Sequence, residues 1–161
     1  MNNSLSPMDH NYQASFYFKL SFQGEEAAFQ EVSGLSRELV VEEVICGGEN
    51  RFKYRLPGVA TSQNLVLKRA IITKGSQLMN WCSLCIDQGL GMSIQPHDII
   101  LSLLDAKGNP TLTWNFHDAY PVKYSVAELK SQVSGIVIES IELAYTYFDI
   151  SPELTITQLF I

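Results

Sequence analysis

The sequence predicts a mainly β protein: two packed antiparallel sheets, a sandwich or barrel, with a single flanking α-helix. Three observations carry this. Short segments of alternating apolar and polar residues recur along most of the chain, turn-forming clusters separate them, and only one stretch has helical periodicity. No internal repeat, low-complexity tract or linker breaks the pattern. One domain is therefore expected over residues 16–150, with a polar tail at 1–15 and an extension at 151–161.

The first strand is FYFKLSF, residues 16 to 22, where Phe16, Phe18, Leu20 and Phe22 alternate with Tyr17, Lys19 and Ser21. Gln23-Gly24-Glu25-Glu26 reads as a turn, Phe29 to Val32 as a short second strand, and Ser33-Gly34 as a break where glycine takes a positive φ. Residues 35–46 and 51–56 flank Gly47-Gly48-Glu49-Asn50 and form a hairpin whose second half alternates Arg51, Lys53 and Arg55 with Phe52, Tyr54 and Leu56. A turn on those four residues sets Val44 opposite Lys53 and Glu42 opposite Arg55, with Ile45 opposite Phe52 and Val41 opposite Leu56. The face carrying Val41, Ile45, Phe52 and Tyr54 is then expected to be buried. Leu56-Pro57-Gly58 closes the hairpin, and Leu65 to Ile72 is the next strand.

Ser76 is placed to cap a helix in which Leu78, Trp81, Cys82, Cys85 and Ile86 share one stripe before Gly89. Strands follow at Ile99 to Leu104 and Thr111 to Phe116, around a Gly108-Asn109-Pro110 turn, and from Ile136 to Phe148. In the last of these Ile136 and Ile138 have the opposite parity to Ile141 and Leu143, so a bulge near Glu139 is expected. The segment 151–161 is apolar enough to dock on a surface.

With 161 residues the chain is long enough to bury a core without disulfides or metal. Eleven Lys+Arg against 17 Asp+Glu give a formal charge of −6, the wrong sign for a phosphate-gripping surface, so no specific nucleic-acid binding is expected. The first fifteen residues have neither a basic start nor an apolar core, and no run is long enough to span a bilayer. Cytoplasmic synthesis without membrane insertion is expected.

Candidate chemistry is sparse. Trp81-Cys82-Ser83-Leu84-Cys85 suggests a thiol-redox pair, but Cys82 falls well inside the helix and both cysteines lie on its apolar stripe, away from the helix N-terminus that stabilises a thiolate. Cys46, His97 and His117 are too scattered for a zinc site. His10, His97 and His117 have no nucleophile motif beside them, and neighbouring Asp118 points to the opposite face of a strand from His117. The charged hairpin is the alternative: Glu42, Glu43, Arg51, Lys53 and Arg55 on a strand pair with open edges are suited to protein association. No catalytic residue, metal or cofactor is expected.

Read in order, EVSGL (31–35), the acidic strand and its Gly-containing turn, LPG (56–58), LKR (67–69), the Trp81 helix, LSLLDAKGNP with the following Trp114 (101–114), AYPVKY (119–124) and IESIELAY (138–145) resemble the tail tube protein family of contractile phage tails and related injection systems. The likeness covers residues 12–148; Ala70 stands where glycine is expected, Tyr145 where histidine is common, and the C-terminal extension is longer than usual. The resemblance implies two packed sheets with one helix, as in the Hcp protein of type VI secretion. It also implies hexameric rings whose strands join into one continuous inner barrel, stacked into a hollow tube that conducts DNA or effector cargo. The implied partners are further copies of the chain, a contractile sheath, a baseplate and a tube terminator. The implied location is the cytoplasm during assembly and then a virion or phage-tail-like particle. By the same resemblance the hairpin carrying Glu42, Glu43, Arg51, Lys53 and Arg55 lies where subunits meet.

Overall fold

The computed structural model describes residues 17–45, 47–48, 51–70, 77–91, 93–129 and 136–152; the expected tail, the helix cap at Ser76 and most of the C-terminal extension lie outside them. The elements are β1 (Tyr17–Phe22), β2 (Glu25–Phe29), β3 (Glu31–Ser33), β4 (Arg37–Val44), β5 (Tyr54–Ser62), β6 (Leu65–Ala70), α1 (Gln77–Asp87), a 3-10 turn (Gly89–Gly91), β7 (His97–Leu104), β8 (Pro110–Leu129), β9 (Ile136–Ala144) and β10 (Tyr147–Pro152). The predicted class is confirmed: mainly strand, antiparallel throughout, one α-helix.

The order β2-β1-β7-β8-β9-β6-β3, with β10 also on β8, is one sheet folded into two layers. Its hinge is β8. The first part of β8 pairs with β7 and β10, the second part with β9, and between them Asp118 takes φ 52 and the ladders slip at His97/Ile99 and Pro121/Lys123. Bulges of this kind bend a strand from one sheet into the next, and they accommodate a proline that has no N–H to give to a ladder. Sequence reading closed this strand at Phe116; it runs thirteen residues further because its second half feeds the other layer.

The opposite corner is Gln30, which separates β2 from β3 at the two ends of the same sheet. Its N–H donates to Lys68 O at 3.0 Å and its Oε1 accepts from Ala70 N at 2.9 Å, which ties the outer strand of one layer to the other. At the start of this run Gln23 (φ 47) and Gly24 (φ 84) make a two-residue turn with both central φ values positive, the geometry that matches strand twist. β2 accordingly starts at Glu25, earlier than expected. Glu25 then reaches α1, where its Oε2 accepts from Gln77 N at 2.9 Å, an anion at the positive end of the helix.

Between the layers lie Leu20, Phe22 and Phe29 from one side, Leu65, Leu67, Ile141 and Leu143 from the other, and Leu78, Trp81 and Cys82 of α1, all buried in one cluster. Phe22 stacks on Trp81 at 4.6 Å. Each fully buried aliphatic or aromatic side chain contributes about 1.5–3 kcal/mol, so this cluster holds the layers and the helix together.

The bulge expected near Glu139 is absent: β9 runs in unbroken register with β6 and β8 through that position. The parity conflict has another cause. Glu139 points inward with Ile141 and Leu143 at 1% exposure, paired to Arg69 Nε directly across on β6, and the Arg69 guanidinium lies 5.0 Å from the Phe29 ring. Oε1 of Glu139 is buried without a hydrogen bond, and burial together with this carboxylate raises the Tyr124 hydroxyl pKa above its ordinary range. A rule that faces charges outward has no way to find a paired one inside.

Two outcomes are expected. Gly34 sits at φ 87, and a Cβ there would lie 1.9 Å from Asn64 O, so Gly34→Ala should lose more than about 2 kcal/mol in urea unfolding. Arg69→Ala, which strands the buried carboxylate, should cost about 3–5 kcal/mol, and the double variant Arg69→Met with Glu139→Leu should recover most of it.

Candidate functional site

The hairpin predicted around residue 48 is real, but it belongs to neither layer. β4 and β5 pair only with each other in a separate two-stranded sheet, and every residue of both strands except Gly58 is exposed. Its root is held by Arg37, whose guanidinium lies 4.1 Å over the Phe148 ring of β10. Beyond that root it is an arm.

Pairing in the arm is shifted by one residue from the expected register. Val44 faces Tyr54, Glu43 faces Arg55, Glu42 faces Leu56 and Val41 faces Pro57. A one-residue slip moves each side chain of one strand to the other face relative to its partner. Glu43, not Glu42, therefore meets the bases: Lys53 Nζ donates to Glu43 Oε2 at 3.1 Å, with Arg55 on the same face. Arg51 is exposed just before β5, and Glu42 shares the opposite face with Val44, Tyr54 and Leu56. Phe52 packs edge-on to Tyr54 at 5.2 Å. Cys46, Glu49 and Asn50 lie outside the described residues.

Leu56-Pro57-Gly58 does not end the hairpin; β5 passes through it to Ser62 by a bulge, the ladder slipping between Leu39 and Val41. Gly58 is needed here because a Cβ would come within 3.0 Å of Val40 O. The face expected to be buried is open: Ile45 is 75% exposed and Val59 81%, and Leu39, Val40, Val41, Val44, Phe52, Tyr54 and Leu56 are exposed too. Among the described residues nothing covers this apolar run, and exposed apolar patches are candidate interaction surfaces.

The other candidates resolve as packing. Cys82 is buried in the core and its thiol is pushed up to about 12, by burial first and then by Glu139; burial also raises Cys85. Both thiols are held neutral, the opposite of a nucleophilic pair. His97 packs edge-on to Phe22 and Trp81 and contacts Gln23 Nε2 at 3.2 Å. His117 stacks on Tyr147 at 4.3 Å, with Asp149 Oδ2 at 3.1 Å and Asp98 Oδ2 at 3.6 Å, and ties three strands at the β8 bend. Among the described residues no group of His, Cys, Asp and Glu is arranged to hold a metal, and no helix is long and apolar enough to cross a membrane.

One further concave feature was not legible in the sequence. A groove of ≈ 420 Å³ opens between α1, the Gln23 turn and the segment leading into β7, with Trp81, Leu84 and Ile94 among its walls. Its polar lining is all amide, hydroxyl, thiol or imidazole; no lysine, arginine, aspartate or glutamate contributes.

The fold as a whole has counterparts among solved structures. No curated protein matches the chain. Among solved structures it is similar to a chain of the anti-feeding prophage baseplate, seen by cryo-EM with sixfold symmetrisation, at 26% identity over 94% of this chain and 97% of that one, TM-score 0.69. It shares its fold with a chain of the sheath–tube complex of an extracellular contractile injection system, PVC, in the extended state (22% identity, 94% and 100% covered, TM-score 0.70) and with Hcp1 from Flavobacterium johnsoniae (15%, 85% and 96%, TM-score 0.58). The family described as T4-like virus tail tube protein gp19 matches residues 14–149, which spans the arm, the helix and the two-layered sheet up to the middle of β10. The chain belongs to that tail tube family.

Proposed function

We propose that this protein works as the repeating unit of an inner tube, closing into hexameric rings that stack into a hollow conduit for DNA or effector cargo. The observation that carries the reading is the arm: a protomer whose core is complete leaves an apolar, two-edged hairpin in water, and neighbouring copies are the surfaces always available to cover it. Its basic and acidic residues Glu42, Glu43, Arg51, Lys53 and Arg55 act in this reading as assembly groups that set the register between subunits. A contractile sheath, a baseplate and a tube terminator are the partners proposed, supported by the assemblies in which the similar structures were solved. The particle assembles in the cytoplasm and thereafter forms part of a virion or phage-tail-like device. A formal charge of −6 per copy suits a bore that must not retain acidic cargo.

The same reading assigns no catalysis to the chain. Negative-stain imaging of purified protein tests the assembly directly: perforated sixfold rings or tubes are expected, and a particle that stays monomeric at high concentration overturns the proposal. In the double variant Lys53→Glu, Arg55→Glu, carboxylates repel across the Glu43 face. Ring and tube formation should fall at least about tenfold while unfolding free energy moves by no more than about 1 kcal/mol.

The helix cysteines give an independent check. In a Cys46→Ser, Cys85→Ser background, Cys82 of the folded protein should resist a thiol reagent at pH 9 until urea unfolds it. Because the unfolded thiol ionises near its ordinary 9.0 while the folded Cys82 holds its proton to about 12, stability should be level below pH 9 and fall as pH rises across that window. Fast labelling of Cys82 in the native state would instead revive a redox role.

A further inference from the structure

The groove beside α1 and the arm present complementary chemistry, yet no residue of the arm lines the groove in its own protomer. Three features match. The groove's walls include Leu84 at 56% exposure and Ile94 at 42%, apolar groups left open to water, while the arm carries the unburied Ile45, Phe52, Tyr54 and Leu56. Asn80, Gln88 and Gln95 supply side-chain amides, which both donate and accept, and a two-stranded sheet has unpaired main-chain N–H and C=O groups along both edges that need such partners. The third match is the lack of charge: the lining has no lysine, arginine, aspartate or glutamate, so an apolar hairpin face enters it without stripping water from an ion.

We propose that this groove is the seat for the β4–β5 arm of a second copy, entering with the apolar face that carries Phe52, Tyr54 and Leu56. At ≈ 420 Å³ the groove lies within the range of about 300–1,000 Å³ that specific binding clefts occupy. An arm on one face of the chain and its seat on another make a heterologous contact, which generates rings if the rotation closes and open stacks if it does not. The inference rests on the reading that the arm meets a neighbouring subunit, and adds where it lands.

The test uses intact protein under assembly conditions, with p-benzoyl-phenylalanine replacing Phe52 in one preparation and Leu84 in another. On irradiation the first should yield a covalent dimer whose cross-linked peptide maps to residues 77–97 of the second copy, and the second should map to 37–62. Dimers that map elsewhere on the partner overturn the groove assignment while leaving the arm as a subunit contact. Particles that form with no intermolecular product from either position overturn both readings. As a second measurement, Leu84→Arg puts a charge into the groove on an exposed helix position. It should raise the concentration needed for assembly at least tenfold with the protomer's thermal unfolding unchanged; assembly at the wild-type concentration counts against the seat.

Discussion

Closure of one long sheet upon itself is the constraint on which the rest of this molecule depends. A sheet order that starts at β2 and ends at β3 brings two consecutive segments together, with Gln30 between them, and β8 makes the other corner by bending at Asp118. Both corners bring the inward faces of the two layers together, and α1 lays Leu78, Trp81 and Cys82 against the same core. The protomer's buried apolar cluster lies inside this unit. Little interior is left for anything else.

The arm follows from that. β4 and β5 have the composition of strands that pack on something, yet they pair with no strand of the large sheet and stand as a separate pair anchored by Arg37 on Phe148. A free two-stranded hairpin is marginally stable in water. This one keeps its shape through the Glu43–Lys53 pair, the Phe52–Tyr54 contact and the Gly58 bulge, and it leaves its apolar area for other surfaces. On the reading proposed above, this division leaves the arm as the part of the protomer that other copies cover.

The buried Arg69–Glu139 pair shows a second division. It lies where β6 and β9 meet under the helix, beside Tyr124 and near Cys82, with one carboxylate oxygen unpaired. An apolar pair of similar volume would fill the space at lower desolvation cost, so the ion pair is better understood as fixing register between two central strands than as adding net stability.

The sequence by itself determined the class of fold, the amphipathic helix, the glycine break at Gly34, the existence of the hairpin and the place of Cys82 on the helix's buried stripe. Each of these rests on local periodicity or local steric demand, which a chain carries in the order of its residues. Only the tertiary structure decided that Glu43 rather than Glu42 meets Lys53 and Arg55, that β8 runs through Pro121 into a second layer, that Glu139 points inward, and that the hairpin's apolar residues stay in water. Register depends on the length of the turn, and burial depends on which distant segment packs over a given face. Those are relations between segments far apart in sequence, and local pattern has no access to them.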